Sequence, residues 1–158
     1  MKKLQIICVV VILSLGINSY SQGVADKIAL EEYNSNLLDS LVFDEVVKQR
    51  KENDLAGLFV SESMLDSARH HSKRMSELDK IFYKDIKRGQ CPVAMEMEVR
   101  EFSYLELSRI IVKRWMSSPG HRKLILGAYF IYGASSNHIV MKDDKLFLKG
   151  VFYLSYNP

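Results

Sequence analysis

Two apolar runs in the second half of the chain are separated by Ser117-Ser118-Pro119-Gly120, and this break constrains the fold more than any other feature. Leu107, Ile110, Ile111 and Trp115 fall at helical steps before it. Proline lacks an amide hydrogen and its ring clashes with the preceding turn, so one helix cannot run through. Ser118 before Pro119 instead suits a fresh start, with serine as N-cap and proline at the first helical position. The chain must therefore stop one helix and begin another, which places His121 in the first turn of a short helix reaching Leu126.

The remaining elements follow from their periods. Ser40 opens a helix carrying Leu41, Val42, Glu45, Val46 and Gln49, and Asn53-Asp54 closes it. Leu65, Ala68, Ser72 and Met75 mark a second helix, with Ser61 or Ser63 as N-cap and Asp66 at capping-box spacing from Ser63. Val93, Met95, Met97 and Val99 alternate with Ala94, Glu96, Glu98 and Arg100, as in a half-buried strand that sends Glu96 and Glu98 to the face opposite the apolar one. Ser103 and Glu106 form the capping box of a third helix. The C-terminal part reads as two aromatic-rich strands around an Asp143-Asp144 turn. Helices and strands are partly segregated, which predicts an α+β layered domain.

The first residues predict export. Lys2 and Lys3 precede Leu4–Ile17, an apolar run shorter than the roughly 20 residues a bilayer span requires. Small and polar residues suited to cleavage follow, so residues 1–22 are expected to be a signal peptide, with no stable membrane span after cleavage. Residues 23–40 form a lead-in and 41–158 the domain. Lys2 and Lys3 leave with the signal peptide, taking the 22 basic residues to 20 against 19 acidic ones. That balance, without a basic patch of interleaved aromatics, gives nucleic-acid binding little support. Cys8 leaves too, so Cys91 has no intrachain partner and is expected to be buried or to pair between chains.

No Walker loop, dinucleotide fingerprint, Cys-x-x-Cys, His-Glu-x-x-His or Gly-x-Ser-x-Gly occurs. Of the four histidines, His70 and His71 lie in the second helix without ligand spacing, and His138 is read as a strand or turn residue. His121 is better placed for chemistry. The positive end of a helix disfavours imidazolium, and a neutral ring can accept a proton or bind a metal. Glu96 or Glu98 would be its partner across a cleft; a packing role within the turn is the competing reading.

Trp115-Met116, Ser118-Pro119-Gly120-His121-Arg122, Ile125-Leu126 and Gly133 resemble the most recognisable segment of the CAP superfamily (SCP, cysteine-rich secretory protein, antigen 5, pathogenesis-related 1). Arg50, Leu65, Ala68, His71-Ser72 and Met75 resemble its first two helices. The resemblance covers roughly residues 42 to 155, and it implies a three-layer α-β-α sandwich with a small, mainly antiparallel sheet and a central cleft. In that family the cleft often holds two histidines and two glutamates, sometimes with a divalent metal. His121 matches the second histidine, and Glu96 the glutamate of the usual Gly-Glu-Asn strand. Tyr83 falls near the place of the first histidine, Ile110 at that of the second glutamate, and Leu124 at that of the usual asparagine.

With half of the tetrad replaced, the resemblance implies a cleft at His121, Glu96, Glu98 and Tyr83 without a cofactor, a divalent metal being the less supported alternative. The expected function is non-catalytic binding of a small ligand, peptide or extracellular partner by a secreted or periplasmic domain. The alternatives are a hydrolase with His121 as general base and Glu96 beside it, and an interaction module joined through Cys91. Ser117 and Ser118 lie near His121 but suit capping better than nucleophilic attack.

Overall fold

The computed structural model describes residues 33–84, 86, 88–98 and 102–158. The expected signal peptide, and all of the lead-in before Tyr33, lie outside the described residues. Among these residues the order is α1 (Ser35–Lys51), β1 (Phe59–Val60), α2 (Glu62–Glu77), β2 (Gly89–Glu98), α3 (Tyr104–Met116), α4 (Pro119–Ile125), β3 (Tyr132–Lys142) and β4 (Lys145–Ser155). The strands lie in the order β1-β3-β4-β2. β4 runs antiparallel to both neighbours, and β1 adds in parallel at the edge of β3. The architecture is α+β, as expected.

β4 divides the interior in two. Leu146, Leu148, Phe152 and Leu154 join Leu38, Val42, Val46, Leu107, Ile111, Trp115 and Ile125, so α1, α3 and α4 cover one face. Val151 and Tyr153 join Met64, Ala68 and Met75 of α2 on the other. Side chains alternate across a strand, so these two sets make a helix–sheet–helix sandwich. Trp115 donates its indole N–H to the Pro92 carbonyl at 3.3 Å, which fixes α3 onto β2. Pro92 is tolerated because β2 is an edge strand.

The capping chemistry departs from expectation at two places. α1 starts at Ser35, where the Asn34 side chain accepts from Leu37 N at 3.0 Å, and Ser40 is exposed inside the helix. Ser118 occupies the N-cap of α4 with Pro119 at the first helical position, but its hydroxyl makes no capping bond; its carbonyl accepts from Arg122 N at 2.8 Å. Ser61 and Ser103 do cap α2 and α3.

Arg50 is the largest buried charge. It is fully enclosed and donates to the carbonyls of Ala56 (2.9 Å), Ile125 (2.8 Å), Gly127 (3.0 Å) and Phe130 (3.2 Å). One guanidinium thus ties the end of α1 to the α4–β3 connection.

β1 covers only Tyr132 and Gly133 of β3. Further along that edge, side chains take the place of a strand. Asp39 Oδ1 accepts from Asn137 N at 2.7 Å, and the Tyr33 hydroxyl donates to the Asn137 carbonyl at 3.0 Å. Cys91 is fully buried and free, and burial pushes its thiol up to about 12. A thiol enclosed in this way cannot link chains while the fold is intact.

Candidate functional site

The segment after α2 is held by two buried side chains. His71 Nε2 lies 3.0 Å from the Phe82 carbonyl and Nδ1 lies 2.7 Å from the Tyr153 hydroxyl. A carbonyl only accepts, so Nε2 carries the proton and Nδ1 accepts from Tyr153. On the other side, Gln90 Nε2 donates to the Lys84 carbonyl at 2.7 Å, and its Oε1 accepts from Lys84 N at 2.9 Å. Gln90 is buried and pairs with Tyr153 in the β2–β4 register. Residues 82 and 84 are therefore clamped to α2 and β2.

Between the clamps, Tyr83 points outward. Its ring is 62% exposed, and its hydroxyl lies 3.4 Å from His121 Nε2. Burial lowers the pKa of His121, so the ring favours its neutral form. α4 brings it there: the helix restarts at Pro119, and Leu124 packs against Gly89 at the start of β2. On the flank of the same segment an open groove is lined by His70, Arg74, Leu78, Lys80, Phe82 and Lys84.

The structure thus brings Tyr83 and His121 together and leaves the two glutamates elsewhere. Glu96 and Glu98 lie at the far end of β2, opposite Phe147 and Lys145. At about 3.3 Å per residue, Glu96 is roughly 23 Å along the strand from Gly89. Its carboxylate bonds to Lys145 Nζ. The residue beside the Tyr83 segment is Gln90, within Gly89-Gln90-Cys91 at the start of the strand. An amide both donates and accepts, and Gln90 uses both functions on Lys84; a carboxylate could not donate.

Ile110 is partly buried against the core of α1 and α3. Among the described residues, no group of three or more His, Cys, Asp or Glu side chains converges as a metal site would require. No described helix is long and apolar enough to cross a membrane.

His71 also gives the fold a pH dependence. Burial lowers its pKa, so the folded state resists protonating a ring that protonates at about 6.5 when exposed. Its contribution to stability is full above that value and is lost as the pH falls below it toward the lower folded pKa. The stability difference between the wild type and His71→Gln is accordingly expected to shrink as the pH falls below about 6.5 in urea unfolding. A difference that is constant with pH would show that His71 does not titrate in this way.

Helices on both faces of a small mixed sheet, with His121 at a helix restart, define the class in fold terms. No protein-family model matches the chain, and no curated protein sequence matches it. An outer surface protein from Borrelia burgdorferi shares the fold at 14% identity and a TM-score of 0.52, over 83% of this chain and 98% of that one. An extracellular protein containing an SCP domain from Bacillus anthracis aligns at 19% identity and a TM-score of 0.46, over 75% of this chain. A cysteine-rich secretory protein from Staphylococcus aureus aligns at 10% identity and 0.45, over 77%. The chain spans 40% and 39% of those last two proteins. A shared fold at such identities carries no activity with it.

Proposed function

We propose that the chain is an exported, non-catalytic CAP/SCP-like binding domain that takes a small ligand or peptide at Tyr83 and His121. The supporting observation is the double clamp: His71 and Gln90 hold residues 82 and 84 so that the Tyr83 phenol meets His121 Nε2. A general base needs a proton donor in reach and a group that orients it. Here the ring's neighbour is a phenol, and Glu96 is engaged by Lys145. An exposed aromatic on a rigid backbone, next to a neutral imidazole and a groove with apolar and basic walls, fits recognition instead. Export rests on the N-terminal pattern, and the outer-surface fold neighbour agrees with it.

Titration with N-acetylphenylalaninamide, followed by the amide resonances of Tyr83, Lys84 and His121, tests the reading. Saturable shifts that Tyr83→Ala abolishes are expected. Hydrolysis of p-nitrophenyl acetate is expected to stay near the level of free imidazole in the wild type and in His121→Ala. A loss of about a hundredfold or more in rate on His121→Ala would instead mark a general base and overturn the proposal.

A further inference from the structure

A second cavity lies away from the Tyr83 segment. β1 ends at Val60, so a gap opens along the edge of β3 between α1 and α2. It encloses about 300 Å³, the lower end of the range for small-molecule sites. Phe43, Val60, Leu65 and Ala134 make its apolar wall, and Asp39 lines it as well.

Asp39 is only 6% exposed. Both of its hydrogen bonds, from Asn137 N at 2.7 Å and Asn137 Nδ2 at 2.9 Å, fall on Oδ1. Oδ2 has no hydrogen-bond partner among the described residues and is not sealed from solvent. A carboxyl oxygen in this position is an acceptor waiting for a donor. Burial pushes Asp39 up to about 7, and a bound cation would draw the carboxyl back toward its ionised form.

The charge at the mouth has the same sign. Asp44 lines the cavity as well. Among the described lining residues the one cation, Arg69, acts on Asp39 through its charge alone and spends its hydrogen bonds on Asp66 at 3.4 Å and Asn36 at 3.2 Å, which leaves Oδ2 without a donor. A cavity with an apolar wall, a carboxyl oxygen that lacks a donor and a second acid in its lining favours a cationic donor over an anion.

We infer that this cavity between α1, α2 and the edge of β3 binds a small primary amine carrying a short apolar group. The ammonium donates to Asp39 Oδ2, and the apolar group packs on Phe43, Val60 and Leu65. The site is separate from the one at Tyr83 and His121, and neither proposal depends on the other.

Calorimetric titration of the full chain with 3-methylbutylamine, above about pH 7 so that Asp39 ionises, tests the inference. The amine is expected to bind saturably. 3-Methylbutan-1-ol, of the same shape, should bind about tenfold or more weakly for lack of the charge-assisted bond, and 3-methylbutanoate should not bind. Asp39→Asn should lose the preference for amine over alcohol. Because Asp39 also supports Asn137, Val60→Trp provides a second variant: Val60 is 53% exposed, so the indole can enter the cavity without disturbing the core. Val60→Trp should abolish amine binding, and Tyr83→Ala should leave it unchanged. Absence of saturable amine binding, equal binding of amine and alcohol, or wild-type affinity in Val60→Trp would each overturn the inference. Loss of binding in Tyr83→Ala with retention in Val60→Trp would place the amine at the other site and overturn it too.

Discussion

Arg50→Met is expected to destabilise the fold by about 3–5 kcal/mol, because several buried carbonyls lose a charged donor at about 1–3 kcal/mol each. Methionine fills much of the volume but offers no donor to the carbonyls of Ala56, Ile125, Gly127 and Phe130. Gly127 O keeps a bond from Phe130 N at 3.3 Å, so the Ala56, Ile125 and Phe130 carbonyls bear most of the loss. Arg50→Lys is expected to recover only part of it, because an ammonium is a compact point charge and cannot span the four acceptors as a planar fork does. Urea unfolding of the three proteins provides the measurement. A change below about 1 kcal/mol for Arg50→Met would mean that water or rearranged backbone replaces the guanidinium.

Gly150→Ala is expected to cost about 2–4 kcal/mol, from overpacking together with a disturbed buried hydrogen-bond network. Gly150 has no positive φ, so its backbone would accept alanine; the obstacle is space. A Cβ there would lie 2.3 Å from Asn137 Oδ1 and 3.2 Å from Val93 Cγ1. Asn137 cannot yield cheaply. Its side-chain amide donates to Asp39 and to Ser135 Oγ, and its own Oδ1 is buried without a partner among the described residues. The asparagine is therefore folded over the glycine opposite it in the β3–β4 register. Adding Asn137→Ala to Gly150→Ala is expected to cost less than the sum of the two single changes, because the clash has then been removed. Strict additivity in thermal or urea unfolding would show that the two positions do not share this contact.

The parts of the fold that sequence makes legible are those with a repeating cause. The Ser103–Glu106 signature and the stripe through Ile111 and Trp115 lead to α3, and two aromatic-rich runs around Asp143-Asp144 lead to the hairpin of β3 and β4. Asp143 and Asp144 both adopt positive φ there, as the tight hairpin turn demands. β1 has no such signal. Two exposed residues, Phe59 and Val60, have no period, and only pairing with Tyr132 and Gly133 makes them a strand. The start of α1 is hidden for a related reason: Ser40 has capping chemistry but lies on the exposed side of a helix already begun at Asn34.

Within the candidate site, His121 is reached through the resemblance around Ser118–Arg122, and Tyr83 through its distance from Met75 of the second helix, near the place of the family's first histidine. Gln90 is not, because an isolated amide carries no acid–base or ligand pattern in sequence, and its role comes only from its pairing with the Lys84 backbone. His71 looks unremarkable at its spacing in α2; its importance comes from Phe82 and Tyr153, which are distant in sequence.

The short reach of β1 has a consequence for the protein at high concentration. A sheet edge with free amides and carbonyls invites a strand from another molecule, and repeated addition builds fibrils. Here the backbone of Asn137 is already occupied on that edge by Asp39 and Tyr33. At the opposite edge, β2 carries Pro92, which has no amide hydrogen, and ends in exposed Glu96 and Glu98. The two margins of the sheet are thus guarded by different means, side-chain caps on one and proline with charged side chains on the other, which disfavours stacking edge to edge at high concentration.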